Sequence, residues 1–299
     1  MQRSIVDALP GGAPLFGLLL GLLCGVSFAC NSALAKIAFE EGSDPLTIIT
    51  LRTSLAAIVV ALVVVLWPPK VRLTRRQRLW ALALGVNVAV YSFGLLSAIE
   101  YIPVALAVII FYTYPLIGAA ILWATGRDAV PRPMAVALVL AFAGLVLALE
   151  VWRFHLDPLG VAYASLGAIF MGVLLVLNSQ LVGSGDSRPV TLHMMPVAAV
   201  IYIVALAVDG GPSLPHSTLG WFAAFGVAGF YTFSIIGVFI AISMAGPIRV
   251  GLAMNIEPVS SLLLGWFVLG QVLEAVQVAG MAVVVGAIVL ARLAPGRSR

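Results

Sequence analysis

The chain has 299 residues, 62% of them hydrophobic and only 9% charged, with a mean hydropathy of +1.14. A water-soluble chain carries about 25% charged residues because something must face water, so this composition excludes a soluble protein and leaves no separate soluble domain. The net charge of +4 is spread over short segments between apolar blocks rather than gathered on one solvated module, which excludes a nucleic-acid-binding face.

The apolar blocks are each about 20 residues long, enough to cross roughly 30 Å of hydrocarbon at about 1.5 Å per residue. They lack porin-like alternation, and a lipid-exposed backbone must satisfy its own hydrogen bonds, so helices are expected. Breaking the chain at Pro, Gly and charge clusters places ten spans near 15–39, 45–66, 79–99, 103–125, 132–149, 158–181, 190–208, 219–243, 247–269 and 274–292.

Orientation follows from the bases. With the N-terminus inside, Arg3, the cluster Lys70, Arg72, Arg75, Arg76 and Arg78, then Arg127, Arg132, Arg188, Arg249, Arg292, Arg297 and Arg299 all fall on the cytoplasmic side. Glu40, Glu41, Asp44, Glu100, Glu150, Asp157, Asp209 and Glu274 fall on the other, where Arg153 and Lys36 are the basic exceptions. Both termini are therefore expected in the cytoplasm. Trp67, Trp80, Trp123, Trp152, Trp221 and Trp266 lie near span ends, as an interfacial belt requires. The Lys70–Arg78 cluster reads as a topology determinant, with an anionic-lipid site as the alternative.

The first span is too long for a signal-peptide core, although Ala33-Leu34-Ala35 imitates a cleavage site, and it has a counterpart later in the chain, so retention is expected. Gly17, Gly21 and Gly25 recur every four residues and permit close helix contact. Cys24 and Cys30 share this span, so they form neither a disulfide framework nor a paired metal motif. Gly25-Val26-Ser27-Phe28 faintly resembles an intramembrane protease nucleophile, but no positioned base accompanies it, and His193 is the sole histidine inside a span. His155 and His216 belong to outer loops.

Polar groups in hydrocarbon are costly unless they are paired or face water, so the few present are site candidates. The four asparagines, Asn31, Asn87, Asn178 and Asn255, fall in the first, third, sixth and ninth spans. Each either lines a cavity or acts as interhelical glue. Tyr91 lies one turn from Asn87, Tyr112 and Tyr114 precede Pro115, and Tyr163 and Tyr231 occupy the sixth and eighth spans. Aromatic walls with a few polar tips suit an amphipathic ligand, and they equally suit plain packing. Arg52 lies well inside the second span and Lys36 near the outer end of the first; either holds a substrate carboxylate, or snorkels or pairs with Glu40, Glu41 and Asp44. Glu257, the only acid in mid-membrane, is a proton-coupling candidate or a structural partner for the backbone freed by Pro258.

The second half repeats the first. Pro45-Leu46-Thr47-Ile48 matches Pro189-Val190-Thr191-Leu192, Pro103 matches Pro247, Pro115 matches Pro258 and Gly144 matches Gly286. Residues 1–150 and 151–299 are thus two five-helix repeats of one membrane domain, and an odd number of spans per half inverts the second relative to the first. Pro115 and Pro258 then kink the fourth and ninth spans at corresponding places, as candidate gates.

The run Met254-Asn255-Ile256-Glu257-Pro258, continuing as VSSLLLGWFVLGQ to Gln271 and on to Gly280 and Gly286, resembles the signature of the EamA family in the drug/metabolite transporter superfamily. YIPVALAVIIFYTYPLIGAAILWATGRD followed by Gly144 is the weaker first-half copy. Many relatives have Glu after the Leu-Gly that closes these spans, where this chain has Gln271 and Arg127. The resemblance implies ten helices around a central cavity, walled mainly by the first, third, fourth, sixth, eighth and ninth, and export of amino acids or related metabolites by alternating access.

The expectation is therefore an all-α secondary transporter in a bacterial inner membrane, exporting small metabolites, with aromatic or apolar amino acids favoured and a monomer as its state. Other cargo, such as a nucleobase, cofactor, sugar or cationic drug, keeps the same mechanism. A membrane enzyme requires a catalytic constellation, and a channel requires a ring of charges or a repeated filter; neither is found. No Gly-rich nucleotide loop or metal-ligand spacing calls for a cofactor.

Overall fold

The structure, a computed structural model, describes residues 12–69, 72–126, 131–153, 156–182, 186–269 and 272–293. Arg3, Lys70, Arg127, His155, Gln271, Arg297 and Arg299 lie outside the described residues. Every regular element described is helical. In chain order they are α1 (Gly12–Glu40), α2 (Pro45–Leu66), α3 (Arg75–Tyr101), α4 (Val104–Phe111), α5 (Tyr114–Ala124) and α6 (Arg132–Ala148). After a 3-10 turn at Val151–Arg153 come α7 (Pro158–Val182), α8 (Arg188–Val208), α9 (Thr218–Ala245), α10 (Pro247–Ala253), α11 (Ile256–Leu269) and α12 (Ala275–Leu293).

Among the described residues, eight stretches are long and apolar enough to cross a membrane. Two of them, Leu106–Ala124 and Pro247–Phe267, are the fourth and ninth expected spans, and each is broken into two helices rather than kinked. The fifth and tenth expected spans, α6 and α12, are apolar but shorter; the 17 residues of α6 rise only about 25 Å. This is a multi-pass membrane protein. Its exposed residues include Leu19, Leu23, Val65, Phe222 and Phe225, a surface that hydrocarbon rather than water must cover. All six tryptophans are exposed and close to helix ends.

Caps move some helix ends beyond the apolar blocks. Thr74 and Gln77 form a reciprocal capping box, Thr74 Oγ1 accepting from Gln77 N at 3.3 Å and Gln77 Oε1 from Thr74 N at 2.9 Å, so α3 starts at Arg75 and carries its arginines in helical form. Asp44 caps α2 by accepting from Thr47 N at 2.8 Å, with Pro45 at the first helical position.

Loops that the base distribution assigns to one side do touch. On the expected outer side, Ser213 N donates to Asp44 Oδ2 and Thr47 Oγ1, and Ser217 Oγ donates to Glu41 Oε2 at 2.5 Å. Burial alone raises the Asp44 carboxyl, but hydrogen bonds from Thr47 and Ser213 outweigh it and hold the group below the ordinary carboxylate range. On the expected inner side, Arg188 forks onto Asp186 and donates from Nη1 to Trp67 O at 2.5 Å.

Helix packing has an internal correspondence. The closest pairs are α1 with α9, α3 with α7, α6 with α12, and α2 with α8. Exchanging the halves, so that α1 becomes α7, α2 becomes α8 and α3 becomes α9, turns the first of these into the second and leaves the last two unchanged. The same exchange converts α3–α8 into α2–α9, and α1–α11 into α5–α7.

Glycines allow the closest approaches. A Cβ at Gly94 would sit 2.8 Å from Tyr163 O and 2.9 Å from Gly167 N, and one at Gly280 would sit 2.3 Å from Ala148 N. Gly144, matched in sequence with Gly286, packs against Gly280, while Gly286 faces open space.

Candidate substrate site

The two helix breaks define the site. Pro115 and Pro258 each fall in the first turn of a second half-helix, α5 and α11, where a missing N–H costs least. At the first break, Tyr112 N still donates to Val108 O and Thr113 N to Ile110 O, after which the chain restarts at Tyr114. At the second, Asn255 N donates to Leu252 O and Glu257 N to Met254 O. The Asn255 side chain is buried and turns its Nδ2 back onto Gly251 O at 3.2 Å and Leu252 O at 3.0 Å, capping α10. Asn255 therefore spends its amide donor on the break itself.

Each break rests on a glycine from the opposite half. A Cβ on Gly25 of α1 would lie 2.4 Å from Ile256 Cγ2 and 3.4 Å from Glu257 N; one on Gly172 of α7 would lie 2.9 Å from Ile117 Cγ2 and 3.1 Å from Tyr114 O. Across the centre, Tyr112 OH donates to Glu257 Oε2 at 2.5 Å, joining the fourth span directly to the ninth. Tyr114 OH adds a bond to Gly251 O at 3.3 Å.

Next to the breaks lies a half-buried cation. Arg52 of α2 donates from Nη1 to Asn31 Oδ1 at 3.3 Å, and its guanidinium stands 4.5 Å over the ring of Tyr231. Asn31 in turn donates to Val227 O of α9 at 3.3 Å. The buried Arg52 Nε has no partner, an omission that costs on the order of 1–3 kcal/mol or more for a charged group. Phe28 meets Tyr231 edge-on, and Tyr91, Phe111, Tyr112 and Tyr114 pack ring against ring with centroids 5.4–6.1 Å apart.

The sequence candidates thus divide. Asn31, Arg52, Tyr91, Tyr112, Tyr231, Asn255 and Glu257 gather around the breaks. Asn87 is buried on the face of Tyr91 with an unpartnered Oδ1, and Asn178 is fully buried with neither amide atom bonded. Tyr163 turns elsewhere, stacked on the exposed Tyr101 at 5.8 Å and edge-on to Phe93. Lys36 is exposed and pairs with Glu40 one turn on, at 3.9 Å, outside the cluster. His193 bonds Pro189 O at 2.7 Å and faces a groove of about 490 Å³ lined also by Arg75, Arg78, Leu79 and Leu82. Among the described residues no three His, Cys, Asp or Glu side chains group as metal ligands.

Sequence reasoning gave no place to Phe28 and Phe111 in this cluster. Tyr202 donates to Ala89 O at 2.9 Å from α8, a span in which its sequence neighbours gave no polar signal. Ser27, from the protease-like tetrapeptide, donates to Phe230 O at 3.1 Å, and Ser234 answers with a bond to Cys24 O, so both staple α1 to α9.

The model of the EamA-like transporter family matches the chain twice, over residues 15–149 and 158–293. The chain belongs to this family. The two-repeat organisation and the broken, apolar helices are those of a small-molecule transporter embedded in lipid. Curated relatives are the threonine/homoserine exporters RhtA of Salmonella typhimurium (strain LT2) and Escherichia coli (strain K12), each 27% identical over 286 residues, which cover 93% of this chain and 91% of theirs. A solved structure, described only as the crystal structure of a protein, superposes with a TM-score of 0.77 at 18% identity, covering 94% of this chain and 96% of that one. That likeness establishes a shared fold.

Proposed function

We propose that this EamA-family transporter exports amino acids across a bacterial inner membrane by alternating access. It does so as a monomer of ten spans whose halves, 1–150 and 151–299, are inverted, with both termini cytoplasmic. The observation that carries the reading is the meeting of two broken helices at corresponding places, bonded through Tyr112 and Glu257, with the half-buried guanidinium of Arg52 nearby on Asn31 and Tyr231. Discontinuous helices in both halves of a transporter mark the substrate site, because their free ends offer polar groups at mid-membrane depth. Asn31, Asn87, Tyr91, Tyr112, Asn178, Tyr231 and Asn255 are the proposed lining.

The side chain carried is the open choice between two readings. The aromatic cluster favours aromatic or apolar amino acids, whereas the relatives' names favour threonine and homoserine. Counterflow in proteoliposomes preloaded in turn with phenylalanine, leucine, threonine and homoserine decides between them, run with and without a pH gradient. Saturable exchange of one group supports the corresponding reading; no saturable exchange with any of the four sinks the amino-acid claim. A rate indifferent to the gradient argues against proton coupling through Glu257.

A further inference from the structure

Arg52 is a cation with no acid bonded to it. Its Nη1 is engaged by an amide oxygen and its face by a ring, and neither cancels its charge. Nε is buried and unpartnered, and Nη2 makes no hydrogen bond among the described residues. These two nitrogens form one edge of the planar fork, the edge that matches two carboxylate oxygens at once. Asn31, held by its bond to Val227 O, orients the guanidinium through Nη1 and leaves this edge without a hydrogen-bond partner.

Glu257 is the converse. Tyr112 OH donates to Oε2, and Oε1 carries no hydrogen bond among the described residues. A hydroxyl satisfies one oxygen without neutralising the charge. Along α1, Gly25 lies beneath Glu257, Phe28 meets the Tyr231 ring that Arg52 covers, and Asn31 holds Arg52, yet no ion pair joins Arg52 to Glu257. A cation beside the Phe28–Tyr231 pair and a carboxylate beside the Tyr112 rings, set along one stretch of α1 without touching, are the complement of a small molecule carrying both charges.

We propose that the cluster reads the two charged ends of a zwitterionic α-amino acid, Arg52 taking the carboxylate on its Nε–Nη2 edge and Glu257 taking the ammonium. The assignment rests on the transport reading above and deepens it. A monocarboxylate leaves Glu257 unanswered, and a simple amine leaves Arg52 unanswered, so each is discriminated against by a half-buried charge without a partner. The aromatic rings then receive the side chain and contribute little to the recognition of either end.

The test uses the full chain in proteoliposomes, with counterflow of labelled L-phenylalanine and, separately, L-threonine. Competitors are the amino alcohols phenylalaninol and threoninol, which lack the carboxylate, and the deaminated acids 3-phenylpropionate and 3-hydroxybutyrate, which lack the ammonium. Each analogue is expected to compete at least about tenfold more weakly than its parent, the loss that accompanies one charge-assisted hydrogen bond. In Arg52→Gln the preference for amino acid over amino alcohol collapses toward parity, and Arg52→Lys restores part of it; in Glu257→Gln the preference over the deaminated acid collapses. A merely structural role weakens all ligands alike and leaves those ratios unchanged. If exchange occurs but the wild type accepts the amino alcohols or the deaminated acids as readily as the parents, this inference is overturned while amino-acid transport stands. If neither amino acid exchanges at all, the transport reading fails and this one with it. Should Arg52→Gln fail to reconstitute, the wild-type competition series decides alone.

Discussion

The bond between Tyr112 and Glu257 carries a measurable coupling between the halves. Tyr112→Phe removes the hydroxyl and keeps the ring, which packs against Phe111 and Tyr114 at 5.9 and 5.7 Å. A hydrogen bond to a charged group contributes roughly 1.5–3 kcal/mol. Glu257 is half-buried, so part of its solvation returns once the hydroxyl is gone, and the expected loss lies near the lower end, about 1.5 kcal/mol. That corresponds to an apparent unfolding temperature lower by roughly 2–4 °C. Scanning fluorimetry in detergent measures it, at one scan rate for all variants because heating is irreversible. Glu257→Met removes the acceptor at similar length, and the double variant closes the cycle. Tyr112→Phe should cost little once Glu257 is gone, which makes the cycle strongly non-additive. If the two single effects instead add within about 0.5 kcal/mol, the bond does not tie the breaks together and the reasoning is wrong.

Four further outcomes follow from the packing. Gly280→Ala forces a Cβ to within 2.3 Å of Ala148 N and should destabilise by roughly 1–3 kcal/mol, whereas Gly286→Ala, which meets nothing within 4 Å, should leave the unfolding temperature unchanged. Asp44→Ala should cost about 0.5–2 kcal/mol of cap. Because the Asp44 carboxyl is held below its ordinary range, its contribution is complete above the unfolded value and drains away as pH falls through the folded one, so the wild type and Asp44→Ala should converge in stability on strong acidification. Asn178→Leu, nearly isosteric and free of unbonded polar atoms, should hold or raise the unfolding temperature while lowering counterflow, and equal loss of both would count against a place for Asn178 in the substrate path. Ala119→Cys with Leu252→Cys, which share one packed cluster at the meeting of α5 and α10, should crosslink in the empty transporter and stop counterflow until reduced; full transport while crosslinked would mean that these helices stay together throughout the cycle.

What sequence could reveal tracks what hydropathy and charge encode. Span positions, the lipid-facing surface and the tryptophan belt follow from length and polarity alone, and Asp44 meets Ser213, and Arg188 meets Trp67, as loops on a common side must. Helix ends at α3 were misplaced because hydropathy marks where lipid begins, whereas the Thr74 capping box marks where the helix does. Pro115 and Pro258 marked the right places but not the right event. Whether a proline bends a helix or divides it depends on partners distant in sequence, here Gly172 and Gly25 beneath the breaks and the Asn255 amide capping α10. The asparagines illustrate the same limit. Asn31 holds Arg52, Asn255 serves its own helix, and Asn178 serves no protein group, a distinction that lies entirely in the neighbours. Tyr163 and Tyr231 were indistinguishable as letters; one faces Tyr101 and the other Arg52.

The correspondence between the halves is incomplete, and where it fails bears on transport. Among the described residues the half-helices α5 and α10 pack on each other, but their exchange partners, α11 and α4, do not pack to a similar extent; α10 also leans on α6 and α7 more than α4 leans on α12 and α1. Under the proposed orientation, α5 and α10 are the cytoplasmic halves of the broken spans and α4 and α11 the external ones. The end sealed by additional packing is therefore the cytoplasmic end. Arg52 and Asn31 sit in the external halves of α2 and α1, above the level of that seal. For an exporter this arrangement belongs to the release side of the cycle, in which the guanidinium gives up its ligand outward. Under the proposed alternating access, reaching the loading state requires α5 and α10 to part and α4 and α11 to close, with the Tyr112–Glu257 bond between the two contacts that exchange. A bond at that position opposes both movements until a ligand competes for the carboxylate, which ties binding of the ammonium group to the freedom of the breaks to move.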